Sequence, residues 1–123
     1  MIYKNKNIFV KHEASSIPWL VVFTNNSYKE FSQCPKDVKS DILEVLDIVE
    51  KELLSFYKPE KINIASFGNI LPRVHFHIMA RFTDDSHFPN PMWGEKKRES
   101  TKIELEDEFL KNIKYKLNES LGT

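Results

Sequence analysis

Apolar and polar residues alternate in several short segments of the chain, and this pattern predicts strands. Residues 8–11 and 19–24 are rich in strand-forming residues, and we expect these two strands to pair. Residues 61–67 and 73–81 alternate more strictly and are separated by a Phe-Gly-Asn turn signal. The pattern therefore predicts two strands near the start of the chain and two in its middle.

Two other segments have the three- and four-residue spacing of amphipathic helices. The first covers residues 35–57, with a proline in its first turn, and Pro59 ends it. The second covers residues 104–119, and we expect Thr101 and Glu104 to cap it. Strands, helix, strands and helix follow one another through short turns, and this order predicts an antiparallel α+β domain.

Length and composition limit the classes of protein that fit this pattern. With 123 residues, 41% hydrophobic and 29% charged, we expect one globular domain over residues 1–123. Lys plus Arg equals Asp plus Glu at 18 each, which disfavours long nucleic acid as a partner but not a mononucleotide. Cys34 is the single cysteine, and no signal peptide or membrane span is recognised, so we expect a cytoplasmic protein without disulfides.

The strand over residues 73–81 carries the candidate chemistry. His75 and His77 are two residues apart and share one face of the strand with Arg73 and Arg81. Imidazole can act as a nucleophile or proton carrier near neutral pH, and guanidinium groups suit phosphate oxygens. This combination favours phosphoryl chemistry. Asn63 is expected to lie beside the histidines if the two middle strands pair with their buried faces matched.

Other interpretations of these residues stay open. An isolated His-x-His pair is often half-exposed surface. A metal site is a second alternative, with ligands from His75, His77, His87 and the Asp84/Asp85 pair. The adjacent arginines argue against a bound cation, so no metal and no cofactor is expected. Residues 83–94 are predicted to be a loop, whose Phe88 and Trp93 either close over a base or pack in a subunit contact.

The chain resembles the histidine triad superfamily of nucleotide-binding proteins in three stretches, Lys61-Ile-Asn-Ile-Ala-Ser-Phe-Gly-Asn69, Pro72-Arg-Val-His-Phe-His-Ile-Met-Ala-Arg-Phe82 and Phe88-Pro-Asn-Pro-Met-Trp-Gly94. More narrowly, it resembles a bacterial branch described as diadenosine tetraphosphate hydrolase-like. The resemblance covers residues 8–94. It implies an antiparallel sheet of about five strands with one long central helix and a C-terminal helix, usually as a homodimer.

The family motif is His-φ-His-φ-His-φ-φ, where φ is apolar, and alignment on the apolar positions puts Arg73 in the place of the first histidine. The resemblance makes His75 the nucleophile, which attacks the α-phosphorus of a nucleotide. It assigns His77 to the phosphate oxygens, and Asn63 and Asn69 to phosphate or leaving-group contacts. Arg73 would bind phosphate but could not exchange a proton at neutral pH.

These features predict an enzyme that hydrolyses or transfers a nucleoside monophosphate group through a nucleotidyl-histidine. The substrate is expected to be a dinucleoside polyphosphate, a nucleoside phosphoramidate or a related conjugate, with no membrane partner. The first alternative is a regulatory nucleotide-binding protein with weak or no catalysis, suggested by Arg73. The second is a metal-dependent hydrolase that uses His75, His77 and an acidic residue.

Overall fold

The computed structural model describes residues 1–122 and confirms the α+β class. Five strands form one antiparallel sheet, and two α-helices and a short 3-10 helix at Phe31–Gln33 complete the fold. The elements are β1 (Tyr3–Lys4), β2 (Ile8–His12), β3 (Trp19–Thr24), α1 (Lys36–Tyr57), β4 (Lys61–Ala65), β5 (His75–Arg81) and α2 (Asp107–Leu121).

The order of strands in the sheet is β1-β2-β3-β5-β4. The predicted pairing of the two early strands is confirmed, since β2 and β3 are antiparallel neighbours. After β3, helix α1 carries the chain to β4 at the sheet edge, and β5 then returns between β4 and β3. Strand β5 therefore has a neighbour on both sides. The two-residue strand β1 was not predicted, because such a short segment shows no alternation.

Both helices pack on one face of the sheet and form the main core with it. The buried stripe of α1 includes Val45, Val49 and Leu53, and that of α2 includes Ile113 and Leu117. Inward side chains from the central strands complete this core. Burial of these stripes is the dominant stabilising contribution, at roughly 25 cal/mol for each Å² of apolar surface removed from water.

The predicted helix boundaries need two corrections. Pro35 is the N-cap of α1 and not part of its first turn. Helix α2 begins at Asp107, and its N-cap Glu106 makes no side-chain cap bond, so the predicted Thr101/Glu104 cap is wrong. The reason is a tertiary contact: the Tyr57 hydroxyl donates to the Glu104 carbonyl at 2.8 Å and accepts from the Glu106 amide at 3.0 Å. These bonds hold the chain extended where the sequence pattern favours helix.

The opposite face of the sheet carries a smaller apolar cluster of Ile17, Trp19, Val21 and Met79. The segment that follows β5 lies near this face, since Met92 packs against the cluster. This second face, which the helices leave free, is called the outer face below. Within residues 1–122, neither helix has the length and apolar character needed to cross a bilayer.

Candidate active site

His75 and His77 project from β5 on the outer face of the sheet. Phe23 of β3 is the Cα partner of His75, while Val21 and Ala65 flank His77 on its two sides. Both imidazoles are half-buried, and their ring centroids are 5.1 Å apart. The structure thus brings together the two histidines that the alternation predicted, at the centre of the sheet.

A hydrogen bond to the backbone determines which ring nitrogen of neutral His75 carries the proton. Its Nδ1 lies 2.8 Å from the Arg73 carbonyl oxygen, which can only accept, so Nδ1–H is the donor. The Nε2 lone pair is then free. The ring also stacks on Phe23, with centroids 5.2 Å apart and planes 14° from parallel. A hydrogen bond and a stacked neighbour together fix the orientation of this imidazole.

His77 is held in the opposite tautomer. The Trp19 indole Nε1–H, which can only donate, points at His77 Nδ1 at 3.0 Å, so a neutral His77 carries its proton on Nε2. Burial, and then the charge of nearby His75, lowers the pKa of His77 from 6.5 to about 4. At neutral pH His77 is therefore an uncharged hydrogen-bond donor. The Trp93 ring packs against it at a centroid distance of 4.9 Å.

Arg73 lies just before β5, and its guanidinium folds over the outer face. Its carbon Cζ is 5.9 Å from the ring centroids of both Phe9 and Phe23. Nη2 donates to the backbone carbonyls of Thr24 and Asn25, and Nε is buried without a hydrogen-bond partner within residues 1–122. The structure therefore places a fixed positive charge next to the ring that stacks on His75.

Arg81 lies away from the two histidines, although it shares their strand face. Its side chain is 1% exposed and forms a two-bond ion pair with Asp85, at 2.9 and 3.1 Å. Nη1 donates to Asn63 Oδ1 at 2.8 Å, and Nη2 donates to the Asn90 carbonyl at 2.7 Å. Through these bonds the Arg81 guanidinium holds the loop after β5. The position of Arg81 therefore does not match the expectation that it binds phosphate.

Asn63 is likewise displaced from its expected place. Its Cα partner on β5 is Met79, while Ala65 is the residue opposite His77. The strands pair as expected, but the register puts Asn63 two pairs further along the ladder than His77. The Asn63 amide oxygen accepts a hydrogen bond from the Arg81 guanidinium. Asn63 therefore belongs to the buried polar group under the loop and not to the immediate surroundings of the imidazoles.

Asp85 is the centre of that buried polar group. Burial acts to raise the pKa of its carboxyl, but the Arg81 guanidinium and three backbone amides outweigh this effect and lower it to about 2. The amides are those of Phe82, His87 and Phe88, at 2.9, 3.1 and 2.8 Å. A permanently ionised Asp85 thus fixes the start of the loop.

A cavity of about 400 Å³ opens beside the two histidines. Its other lining residues are Trp93 and the segment after β4, which includes Phe67, Asn69, Ile70 and Leu71. Of the two predicted asparagines, Asn69 is the one in this cavity. A larger cleft of about 520 Å³ lies elsewhere and contains neither histidine. It is lined by Ser16, by Asp84 and by residues 98–101.

No group of three or more His, Cys, Asp or Glu side chains within residues 1–122 is arranged to hold a metal ion. Asp85, one of the acidic residues in the predicted metal set, is bonded to Arg81 and to backbone amides. His87 contacts the Ser86 hydroxyl through Nδ1 at 2.7 Å. Among the described residues, no third His, Cys, Asp or Glu side chain is therefore arranged with the two imidazoles of β5 as a metal-binding group.

A comparison with known protein families shows to which family this chain belongs. A family model described as the HIT domain matches residues 1–84, more than half of the chain. The chain belongs to the histidine triad (HIT) family. Members of this family bind nucleotides, and many are nucleotide hydrolases or transferases. A comparison with curated proteins finds no match.

Solved HIT structures share the fold. A HIT protein of Sinorhizobium meliloti is 27% identical, with a TM-score of 0.68 over 96% of this chain and 86% of its own. A histidine triad protein of Bradyrhizobium japonicum is 24% identical, with a TM-score of 0.75 over 94% and 88% of the two chains. A hypothetical histidine triad nucleotide-binding protein of Sulfolobus tokodaii, 15% identical, has a TM-score of 0.56 over 98% and 81%. The antiparallel sheet with two helices is the fold of these HIT proteins.

Sequence reasoning missed three aromatic residues of this HIT site. Trp19 holds His77, Phe23 stacks on His75, and Phe9 stacks on Phe23 with centroids 5.0 Å apart. One signal was present, since an indole N–H in an apolar strand needs a hydrogen-bond partner. Identifying that partner requires the pairing of β3 with β5, which lie far apart in the sequence.

Proposed function

We propose that this HIT protein is an enzyme that removes or transfers a nucleoside monophosphate group, with His75 as the nucleophile. One observation carries the proposal: the two imidazoles are held in complementary tautomers. The Arg73 carbonyl leaves His75 with a free Nε2 lone pair, and Trp19 leaves His77 with an Nε2–H. A nucleophile and a hydrogen-bond donor then stand side by side on one strand.

The reaction proceeds in two steps. In the first, the Nε2 lone pair of His75 forms a bond to the α-phosphorus, and the bond from phosphorus to the leaving group breaks. The leaving group departs with that electron pair and takes up a proton. In the second, a water oxygen attacks the phosphorus, the N–P bond breaks, and its electrons return to Nε2 while the water loses a proton. The products are a nucleoside monophosphate and the protonated leaving group.

His77 acts on the oxygens of the phosphoryl group. With a pKa of about 4 it is neutral at pH 7 and carries its proton on Nε2. Its Nε2–H instead donates to a non-bridging oxygen, where negative charge must be stabilised in the transition state. The half-buried position strengthens this interaction, because few water molecules compete for the same oxygen.

The other predicted residues have separate roles in the proposal. Arg73 supplies positive charge near His75 and binds phosphate through the part of its guanidinium that Thr24 and Asn25 leave free. Asn69 contacts the leaving group. Arg81 and Asn63 support the loop. We also propose the diadenosine tetraphosphate hydrolase-like branch of the family and a homodimer, to be tested by substrate profiling and by sedimentation.

Turnover by His75 and His12 variants tests the proposal. A panel of nucleoside phosphoramidates and dinucleoside polyphosphates should include a substrate for the wild-type protein. For that substrate, His75→Ala should lower kcat by at least about a thousandfold, because the covalent route is lost. The control is His12→Ala, since His12 is exposed at the end of β2. Equal turnover by the His75 and His12 variants would reject His75 as the nucleophile.

One observation favours a second function, that of a nucleotide-binding protein with little catalysis. Arg73 stands at the first triad position, and two backbone carbonyls bind its guanidinium, so it cannot relay a proton to a leaving group. Replacing it tests this alternative. A large gain in turnover for Arg73→His would indicate a weakened enzyme, whereas high native turnover that His75→Ala abolishes would exclude a binding-only role.

A further inference from the structure

The chain just before β5 departs from the hydrogen-bond ladder that joins β5 to β3. The last pair in that ladder is Phe23 with His75, and the same register continued by two residues would place Arg73 opposite Asn25. The Arg73 amide instead donates to the Leu71 carbonyl at 2.8 Å, and the Arg73 carbonyl accepts Nδ1–H of His75 at 2.8 Å. Both backbone groups of Arg73 are thus directed to residues other than β3.

The Arg73 side chain makes the connection to β3 that its backbone does not. Nη2 of the guanidinium donates to the carbonyls of Thr24, the last residue of β3, and of Asn25, the residue after it. A guanidinium carries five N–H donors in a planar fork, so one side chain can bind more than one carbonyl oxygen. The guanidinium therefore takes the place of backbone ladder bonds and ties residue 73 to the end of β3.

A second hydrogen bond holds the same peptide unit. The Val74 amide donates to the Tyr28 carbonyl at 2.7 Å, and the Val74 side chain is buried in the core. Because this peptide bond is planar and trans, its carbonyl and its amide hydrogen point in opposite directions. The Arg73 carbonyl therefore points away from Tyr28 and toward the His75 ring. The end of β3 and the segment after it hold this peptide unit through the Arg73 side chain and the Val74 amide.

The segment before Arg73 gives its carbonyl little further support. Residues 69–72 are exposed and form neither helix nor strand, and Ile70 is 99% exposed. A segment with few buried contacts opens locally at a low cost in free energy. The position of the Arg73 carbonyl therefore depends on the two anchors at residues 73 and 74.

The Arg73 guanidinium is arranged to hold the backbone more than to present its donors to a ligand. Nη2 binds the two carbonyls, and Nε is buried without a hydrogen-bond partner within residues 1–122. Cζ lies 5.9 Å from the ring centroids of Phe9 and Phe23, so the group is also packed between side chains. Nη1 is the nitrogen that is left for an anionic oxygen.

We propose that Arg73 is a positioning residue for His75: its guanidinium binds the end of β3 and thereby holds the Arg73 carbonyl where it accepts Nδ1–H of His75. This role goes beyond the proposed catalysis, because it sets the tautomer of His75 in the ligand-free protein. The side chain at the first triad position then determines which nitrogen of the next histidine is free, instead of relaying a proton. A contact between Nη1 and phosphate would be an additional role.

The variants Arg73→Met and Arg73→Lys test this role in ligand-free protein. Methionine has no hydrogen-bond donor, whereas lysine keeps the charge and a donor for one of the two carbonyls. Nitrogen-15 shifts of the His75 ring, recorded at a pH where both imidazoles are neutral, show which nitrogen carries the proton. We expect the Nδ1–H form in the wild type, at least about one third of the Nε2–H form in Arg73→Met, and about half of that fraction in Arg73→Lys.

Two controls separate positioning from a general loss of structure. The His77 ring is an internal control, because a side chain of β3 holds its proton. Arg98→Met is the matched control, since Arg98 Nη1 also donates to two backbone carbonyls, at 2.6 and 2.9 Å, but in the loop after β5. A His75 tautomer that is unchanged in Arg73→Met, or that changes equally in Arg98→Met, would overturn the proposal. If Arg73→Met does not fold, an unchanged His75 tautomer in Arg73→Lys would overturn it.

Turnover separates positioning from phosphate binding. For a substrate cleaved through His75, Arg73→Met should lower kcat by about threefold or more, because only molecules with a free Nε2 lone pair react. A raised KM with kcat and the His75 tautomer unchanged would assign Arg73 to phosphate binding and reject the positioning role. If the wild-type protein cleaves no substrate, the proposed catalysis fails, and the tautomer measurement still decides the role of Arg73.

Discussion

At the scale of single residues, different hydrogen-bond partners give two identical side chains different chemistry. His75 and His77 are both half-buried imidazoles on β5. A backbone carbonyl directs the proton of His75 to Nδ1, and an indole N–H directs that of His77 to Nε2. The pair can therefore act as nucleophile and donor without an added base. Trp19 is accordingly a positioning residue for His77.

The change Trp19→Phe tests this role, because it keeps an aromatic ring and removes the indole donor. We expect His77 to populate both tautomers, which nitrogen-15 shifts of its ring report, while the His75 signals in the same spectrum stay fixed. For a substrate cleaved through His75, kcat should fall about fivefold to tenfold, the equivalent of one hydrogen bond of about 1 kcal/mol. An unchanged His77 tautomer would contradict the assignment.

Sequence alone predicts the two histidines of the candidate site but not their hydrogen-bond and stacking partners. The alternation in β5 puts His75 and His77 on one face whatever the rest of the chain does. The same alternation places Arg81 with them, yet Arg81 is buried by the loop that follows β5. The alternation of a strand shows on which face a residue lies, but it does not show whether a distant segment covers that residue. For this reason Arg81 and Asn63 contact each other and the loop after β5, and not the space beside the histidines.

At the scale of elements, the loop after β5 is held by a buried ion pair. Asp85 bonds Arg81 and three backbone amides, and Trp93, further along the loop, packs on His77. The loop therefore connects the end of β5 to the Trp93 wall of the cavity beside His77. Breaking a buried pair by removing one partner is costly, because the other charge is left uncompensated.

Asp85→Asn should consequently lower the free energy of unfolding by about 3 to 5 kcal/mol, as expected for one side of a buried pair. The matched control is Asp84→Asn at the exposed neighbouring position, for which we expect a change within about 0.5 kcal/mol. Chemical denaturation of both variants measures the difference. Equal stability of the two variants would show that the Asp85 contacts do not hold the loop.

The elements themselves follow closely from the sequence where periodicity is long. The predicted helix over residues 35–57 matches α1 apart from the position of Pro35, because its apolar stripe extends over several turns. Helix α2 begins later than predicted because the Tyr57 hydroxyl binds the preceding backbone. Strand β1 depends on pairing with β2 and shows no pattern of its own. Local signals thus predict the long elements, and contacts between distant segments determine their ends.

At the scale of the whole molecule, one face of the sheet packs against the helices and the other carries the candidate site. The helices cover one face with an apolar core, and the outer face carries the two histidines and the cavity beside them. The family resemblance predicted the antiparallel five-stranded sheet, and the structure confirms it. The resemblance could not predict the lining of the cavity beside the histidines, since that lining comes from the segments that follow β4 and β5.

The neutral state of His77 affects the stability of the whole fold in acid. Its pKa is about 4 in the folded protein and 6.5 at its ordinary value, so between these values the unfolded chain binds more protons. The free energy of unfolding should therefore decrease as the pH falls from 6.5 to 4. Denaturation of His77→Gln over this range should show a smaller decrease. An equal decrease in both proteins would indicate that His77 titrates normally in the fold.

The central claim is that His75 forms a covalent bond to the phosphorus of a nucleotide, and rapid quenching followed by mass spectrometry tests it most directly. Wild-type protein mixed with a nucleoside phosphoramidate should show the added mass of a nucleoside monophosphate on the β5 peptide, located at His75. The same peptide from His75→Ala should carry no added mass. An adduct on another residue, or turnover by wild-type protein without any adduct at the earliest quench times, would contradict the account.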